Sequence, residues 1–226
     1  MGAPLQQCSR LPGARPRTGI SGLPRRLTRP ARACQLQKVP RLIFLVLLGS
    51  VTASAAALPP EQEAFWRALH GLCGRAFAGK VVESTSATDA AFAGQTLVVH
   101  VRACGEDEIR IPFQVGANRS RTWVITRTPT GLRLKHDHRH EDGTEDKVTQ
   151  YGGDTAAAGT ATRQDFPADR FTAELIPAAR TNVWSLLLSG DTFSYLLVRE
   201  AEGRRFRVEF DLTQPVAAPP APWGHR

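Results

Sequence analysis

The stretch LKHDHRHEDGTED, residues 134–146, sets histidines at 136, 138 and 140 and then brings Glu141, Asp142, Glu145 and Asp146 in close succession. On an extended strand Cβ direction alternates, so His136, His138 and His140 share one face. Neighbouring members lie ~7 Å apart, near enough for two imidazoles to converge on one divalent metal, whereas His136 and His140 at ~13 Å are not. A metal site there needs one His-x-His pair and a ligand from elsewhere. With a two-residue turn at Asp142-Gly143, Glu145 faces His140 and Asp146 faces Arg139, which makes Glu145 the nearest extra ligand. Glu145 can equally hold the His140 ring without touching a metal. Three readings stay open: a metal or anion site, acid/base catalysis, and a solvated hairpin tip held by cross-strand ion pairs. EDGTED lacks the alternating oxygen ligands of a calcium loop.

A second set of candidates is aromatic. Turns at Gly190-Asp191 and Glu202-Gly203 fold residues 183–212 into three antiparallel strands. One face then collects Trp184, Leu186, Leu188, Phe193, Tyr195, Leu197, Val208, Phe210 and Leu212, and the other is polar. If the apolar face is the inside of a barrel, Trp184, Phe193, Tyr195 and Phe210 line a site for a small apolar ligand. The competing reading is that they fill a narrow barrel.

The elements that must position these residues follow from period. Phe65, Trp66, Leu69 and Leu72 fall at helical spacing behind Pro60, Glu61 and Glu63, and Gly71 and Gly74 stop the pattern. Thereafter the period is two. Residues 75–84, 95–104, 108–116, 121–128, 132–140 and 146–151 read as strands between turn residues, while 152–180 is the least patterned stretch. The expected fold is mainly β: an antiparallel meander of about nine or ten strands forming a barrel or strongly rolled sheet, with one short N-terminal helix. The boundaries are a leader over 1–57, one barrel-like domain over 58–214, and a Pro/Ala-rich tail over 215–226 that composition marks as extended and poorly ordered.

Charge localises to the leader. Residues 1–57 carry eight Arg and one Lys without an acid, so the net +8 of the chain belongs there and the remainder is nearly neutral. That remainder has no basic stripe with interleaved aromatics, so nucleic acid is excluded as a partner. A basic segment, the apolar run LIFLVLLGSV (42–51) and the small residues of TASAAALPP form a signal peptide with cleavage near Ala55 or Ala57. The destination is periplasmic or extracellular, and the membrane is met only through the leader during export. Cys8 and Cys34 leave with the leader. Cys73 and Cys104 remain, and in an oxidising compartment they should bridge.

No Gly-x-Ser-x-Gly, His-Glu-x-x-His, phosphate-binding glycine loop or Cys-x-x-Cys is present. His100 reads as a structural strand residue. Arg102, Arg110, Arg119, Arg121 and Arg127, interleaved along strands, read as a solvated outer face.

The stretches GLCGRAFAGKVVES, RSRTWVITRT, LKHDHRHEDGTEDKVTQYGGDT and RTNVWSL resemble a family of secreted bacterial proteins to which no activity attaches. A barrel with a short helix near its start resembles the calycin group, the lipocalin-like and nitrobindin-like barrels, although Gly79-Lys80-Val81 stands where lipocalins carry Gly-x-Trp. Together these features predict a secreted or periplasmic, non-enzymatic module that binds a small apolar ligand. The alternatives are a metal-binding protein or metal-dependent enzyme using the His136/His138/His140 hairpin, and a structural or partner-binding β domain.

Overall fold

A computed structural model describes residues 57–225, and the leader features named above lie outside them. The chain opens with helix α1, Pro60–His70. Proline occupies its first turn, Glu61 and Glu63 sit at its positive end, and Arg67 and His70 at its negative end. Gln62, Phe65, Trp66 and Leu69 form its buried stripe.

Eleven strands follow: β1 Ala76–Ser84, β2 Leu97–His100, β3 Ala103–Cys104, β4 Glu108–Val115, β5 Asn118–Thr128, β6 Gly131–His138, β7 Tyr151–Asp154, β8 Arg163–Pro167, β9 Val183–Ser189, β10 Thr192–Arg199 and β11 Arg204–Val216. Helix α2, Arg170–Leu175, lies between β8 and β9. The hydrogen-bonded order is β7-β6-β5-β4-β2-β1-β11-β10-β9-β8, with the two-residue β3 attached to β4. This is a meander closed on itself: the first strand pairs with the last, and the one gap falls between β7 and β8. The result is a nearly closed antiparallel barrel of ten strands, as the alternating pattern predicts.

The gap is bridged by other means. Asp169 N–H donates to the Gly152 carbonyl at 2.9 Å. The Thr172 hydroxyl both accepts from Gly152 N–H at 2.7 Å and donates to the Gly152 carbonyl at 2.8 Å. Close approach on both sides of β7, to β6 and across the gap, demands glycine. A Cβ on Gly152 would lie 2.0 Å from the Leu134 carbonyl oxygen, and one on Gly153 would lie 1.8 Å from that of Pro167.

Inward-facing residues form columns that are apolar in the middle. Ile109, Ile111 and Phe113 on β4, Trp123 and Ile125 on β5, Leu132 and Leu134 on β6, and Val208 and Phe210 on β11 are all buried. Helix α1 packs at the β5–β6 turn end of the barrel. Gln62 donates to the Thr155 hydroxyl at 2.9 Å, Glu63 pairs with Arg127, and the Arg127 guanidinium lies over the Trp66 ring. Cys73 and Cys104 are bridged, with Cα atoms 6.2 Å apart, which ties the segment after α1 to β3, the pairing expected for the two cysteines that remain after the leader.

Four expectations need correction. The strand predicted over 95–104 is broken into β2 and β3. The strand predicted at 146–151 begins only at Tyr151, because Gln150 takes a left-handed φ of 57° and residues 147–150 bulge out. His136 therefore pairs with Tyr151, whereas a register counted from the Asp142-Gly143 turn sets it opposite Thr149. The turn at Gly190-Asp191 forms as predicted, pairing Phe193 with Leu188 and Tyr195 with Leu186. The next connection is longer than a two-residue turn: a 3-10 segment over Glu200–Glu202 ends on left-handed Gly203. Phe193 consequently pairs with Phe210 and Tyr195 with Val208, a slip of two residues that leaves each side chain on its predicted face. Finally, the tail docks on the outside of the barrel. The backbone N–H of Trp223 donates to the Arg119 carbonyl at 3.1 Å, Arg119 donates to the Ala221 carbonyl at 2.9 Å, and His225 lies 3.4 Å from the buried Asp137 carboxylate.

Candidate functional site

At the end of the barrel away from α1, the inward columns turn polar. On β5 the order toward the open end is Ile125, Trp123, Arg121. On β6 it is Leu134, His136, His138, on β10 Tyr195, Leu197, Arg199, and on β11 Phe206 then Arg204. Above Ile125 and Leu134, these residues, with Phe92, Phe113, Tyr151 and Trp184, line a cavity of about 300 Å³. Its floor is aromatic. The Trp123 and Tyr195 rings stack with centroids 4.4 Å apart, and Phe113 lies 5.1 Å from Trp123.

The histidines sit in the wall of this cavity. His136 is buried. Its ring stacks on Tyr151 at 4.5 Å, and its Nδ1–H donates to the Tyr151 carbonyl at 3.1 Å. That bond sets the tautomer, so Nε2 is free to accept from the Tyr195 hydroxyl at 2.9 Å. Burial, helped by the neighbouring His138, pushes the His136 pKa from 6.5 to about 3. His138 is half-buried, with Nε2 3.1 Å from the Tyr151 hydroxyl. Burial and then the Arg121 charge push its pKa down to about 4. Burial drives the Tyr151 phenol up to about 12 and that of Tyr195 well above its ordinary value. The four groups are therefore neutral hydrogen-bonding partners near pH 7, and none is poised there as an acid or base.

The predicted site residues divide cleanly. His136, His138, Trp184 and Tyr195 share the one cavity, joining two sets that the sequence treats as separate. Phe193 and Phe210 lie deeper, fully buried, with rings 5.9 Å apart in the packed core. His140 is exposed beyond the end of β6. Glu145 does not face it: the register at the tip pairs Glu145 with Arg139, whose guanidinium it accepts from at 3.1 Å. Both nitrogens of His136 are committed to protein partners. Among the described residues no three His, Cys, Asp or Glu side chains converge as metal ligands.

Sequence reasoning missed Arg121, Arg199 and Arg204. Arg121 was placed with the solvated outer face, yet it lies two residues from Trp123 in the same inward column. Carrying the alternation two residues past Trp123, Leu197 and Phe206 finds all three. Arg204 is neutralised by Asp89 in a two-pronged pair at 2.8 and 2.6 Å. Arg199 donates to the neutral Asn182 at 2.8 Å. Arg121 donates through Nη1 to Asn118 and Ser120 and lies over the Phe92 ring at 5.5 Å.

Fold and site together define a small antiparallel β-barrel with an aromatic cavity opening at a cationic rim. Compared with known proteins, the chain matches no protein-family model, no curated protein and no solved structure.

Proposed function

We propose that the protein is an exported, non-enzymatic binding module that holds one small, largely apolar ligand in the cavity at the open end of its barrel. The observation that carries this reading is the cavity itself: about 300 Å³, floored by Trp123 and Tyr195 and walled by His136, Tyr151 and Trp184. That size is at the lower end of ligand pockets and equals roughly ten waters at ~30 Å³ each. Aromatic walls with a few convergent hydrogen-bonding groups are the usual composition of such sites. The signal-like leader and the Cys73–Cys104 bridge support a periplasmic or extracellular setting. The likeness to calycin barrels belongs to this same reading and rests on the barrel form and its short helix.

Native mass spectrometry of protein purified from its own host checks it. The mature chain, starting near residue 58, should carry a mass increment of one small organic molecule that is lost on denaturation. A chain that retains its leader, or that carries no increment and takes up no apolar probe, would contradict the reading.

A further inference from the structure

The cavity holds more positive charge than its own residues neutralise. Three guanidinium groups line it, from Arg121, Arg199 and Arg204, against one lining carboxylate, Asp89. Asp89 is already committed to Arg204 and accepts from the Ser84 hydroxyl at 2.7 Å. Among the described residues Arg121 and Arg199 have no carboxylate within ion-pairing distance, and their acceptors are neutral: Asn118 and Ser120 for the first, Asn182 for the second. The Nε and Nη2 donors of Arg121 take no acceptor among those residues. The other cavity groups supply no anion, because His136 and His138 are neutral and Tyr151 and Tyr195 keep their protons.

A cation half-buried beside aromatic walls is costly without a counter-charge. Burial lowers even the Arg121 pKa from its ordinary value. Arginine is also the side chain whose fork of donors fits a carboxylate with two parallel bonds.

We propose, on the reading of this cavity as a ligand site, that its ligand is a monoanion: an aromatic or short acyl body on the Trp123–Tyr195 floor with a carboxylate paired to Arg121. Arg199 adds a second unneutralised charge at the rim and draws the anion to that end. The apolar body sets how deep the ligand sits, and Arg121 sets which end faces out.

Two probes of the same shape separate this from the cavity reading: 2-naphthoate, which is charged, and 2-naphthalenemethanol, which is not. Calorimetric titration of the mature protein should show naphthoate binding about tenfold or more tightly than the alcohol. Arg121→Gln should remove most of that preference while leaving the alcohol's affinity within about twofold, which also shows that the variant is folded. Arg199→Gln should weaken naphthoate by a smaller factor. If both probes bind equally and Arg121→Gln changes neither, the anion inference is overturned while the cavity reading stands. If Arg121→Gln weakens both alike, Arg121 only packs on Phe92 and the inference again falls. If neither probe binds, both readings fail together.

Discussion

Acidification should unfold this protein through its buried imidazoles before most of its carboxylates take part. The folded state holds His136 near a pKa of about 3 against 6.5 in the free side chain, and His138 near about 4. Between those values the unfolded chain binds protons that the folded chain refuses, so the stability that neutral histidine provides is complete above pH 6.5 and declines as pH falls below it. Each such proton costs a factor of ten in the folding equilibrium per pH unit. For His136 alone that is about 3 kcal/mol between pH 6 and pH 4, a large share of a domain's stability. His100, also depressed by burial, adds to the slope. The carboxylates held low, such as Asp142 and Asp169, are lowered from 3.8 and enter only at the acid end of this range. Urea unfolding at a series of pH values measures the slope. His136→Gln should reduce it by about one proton whatever its effect at pH 7, and an unchanged slope would mean that His136 is already charged in the fold.

Loss of the Cys73–Cys104 bridge should cost about 3–4 kcal/mol, the chain-entropy value for a loop of this length. The separation is 31 residues, and the link joins the end of α1 to the edge strand β3. Helix α1 is otherwise held by the burial of Phe65, Trp66 and Leu69 and by Gln62 and Glu63. Strands β9–β11 pair with one another in continuous register far from the bridge. Reduction should therefore lower amide protection over 60–75 and 101–104 more than over 183–212. Hydrogen exchange with and without reductant reads this directly. An equal fall at both places would show that the bridge acts only on the unfolded chain, and free alkylation of both thiols in the native protein would show that no bridge forms.

How much of this was legible depended on whether alternation or backbone detail decided the matter. The apolar face of Trp184, Leu186, Phe193, Tyr195, Val208 and Phe210 follows from parity, which survives a slip of two residues. The exact pairing does not, because it turns on Gly203 taking a left-handed conformation at the end of a one-turn 3-10 segment, which single-residue turn signals do not distinguish from a two-residue hairpin. Strand β7 was placed too early in the chain because Tyr-Gly-Gly-Asp looks like a turn. Its glycines are instead required by the close approach of Leu134 and Pro167, a long-range constraint. In the site, His136 and His138 were visible by their spacing, but their surroundings were not. Ligation and hydrogen bonding to tyrosine look alike until the neighbouring strands are known. Arg121 was misassigned because arginine alternating along a strand is most often solvated, and only its place in the Trp123 column turns it inward.

The central claim, that the cavity at the open end is a ligand site, is tested most directly by the four tryptophans of the chain. Trp123 and Trp184 line the cavity, Trp66 lies under Arg127 at the opposite end, and Trp223 sits in the docked tail. Their indole N–H signals in a nitrogen-15 correlation spectrum report on the places separately. Titration with 2-naphthalenemethanol should move the signals of Trp123 and Trp184 saturably and together, leaving those of Trp66 and Trp223 in place. Shifts that never saturate, or that appear equally at all four indoles, would contradict a site in the barrel mouth.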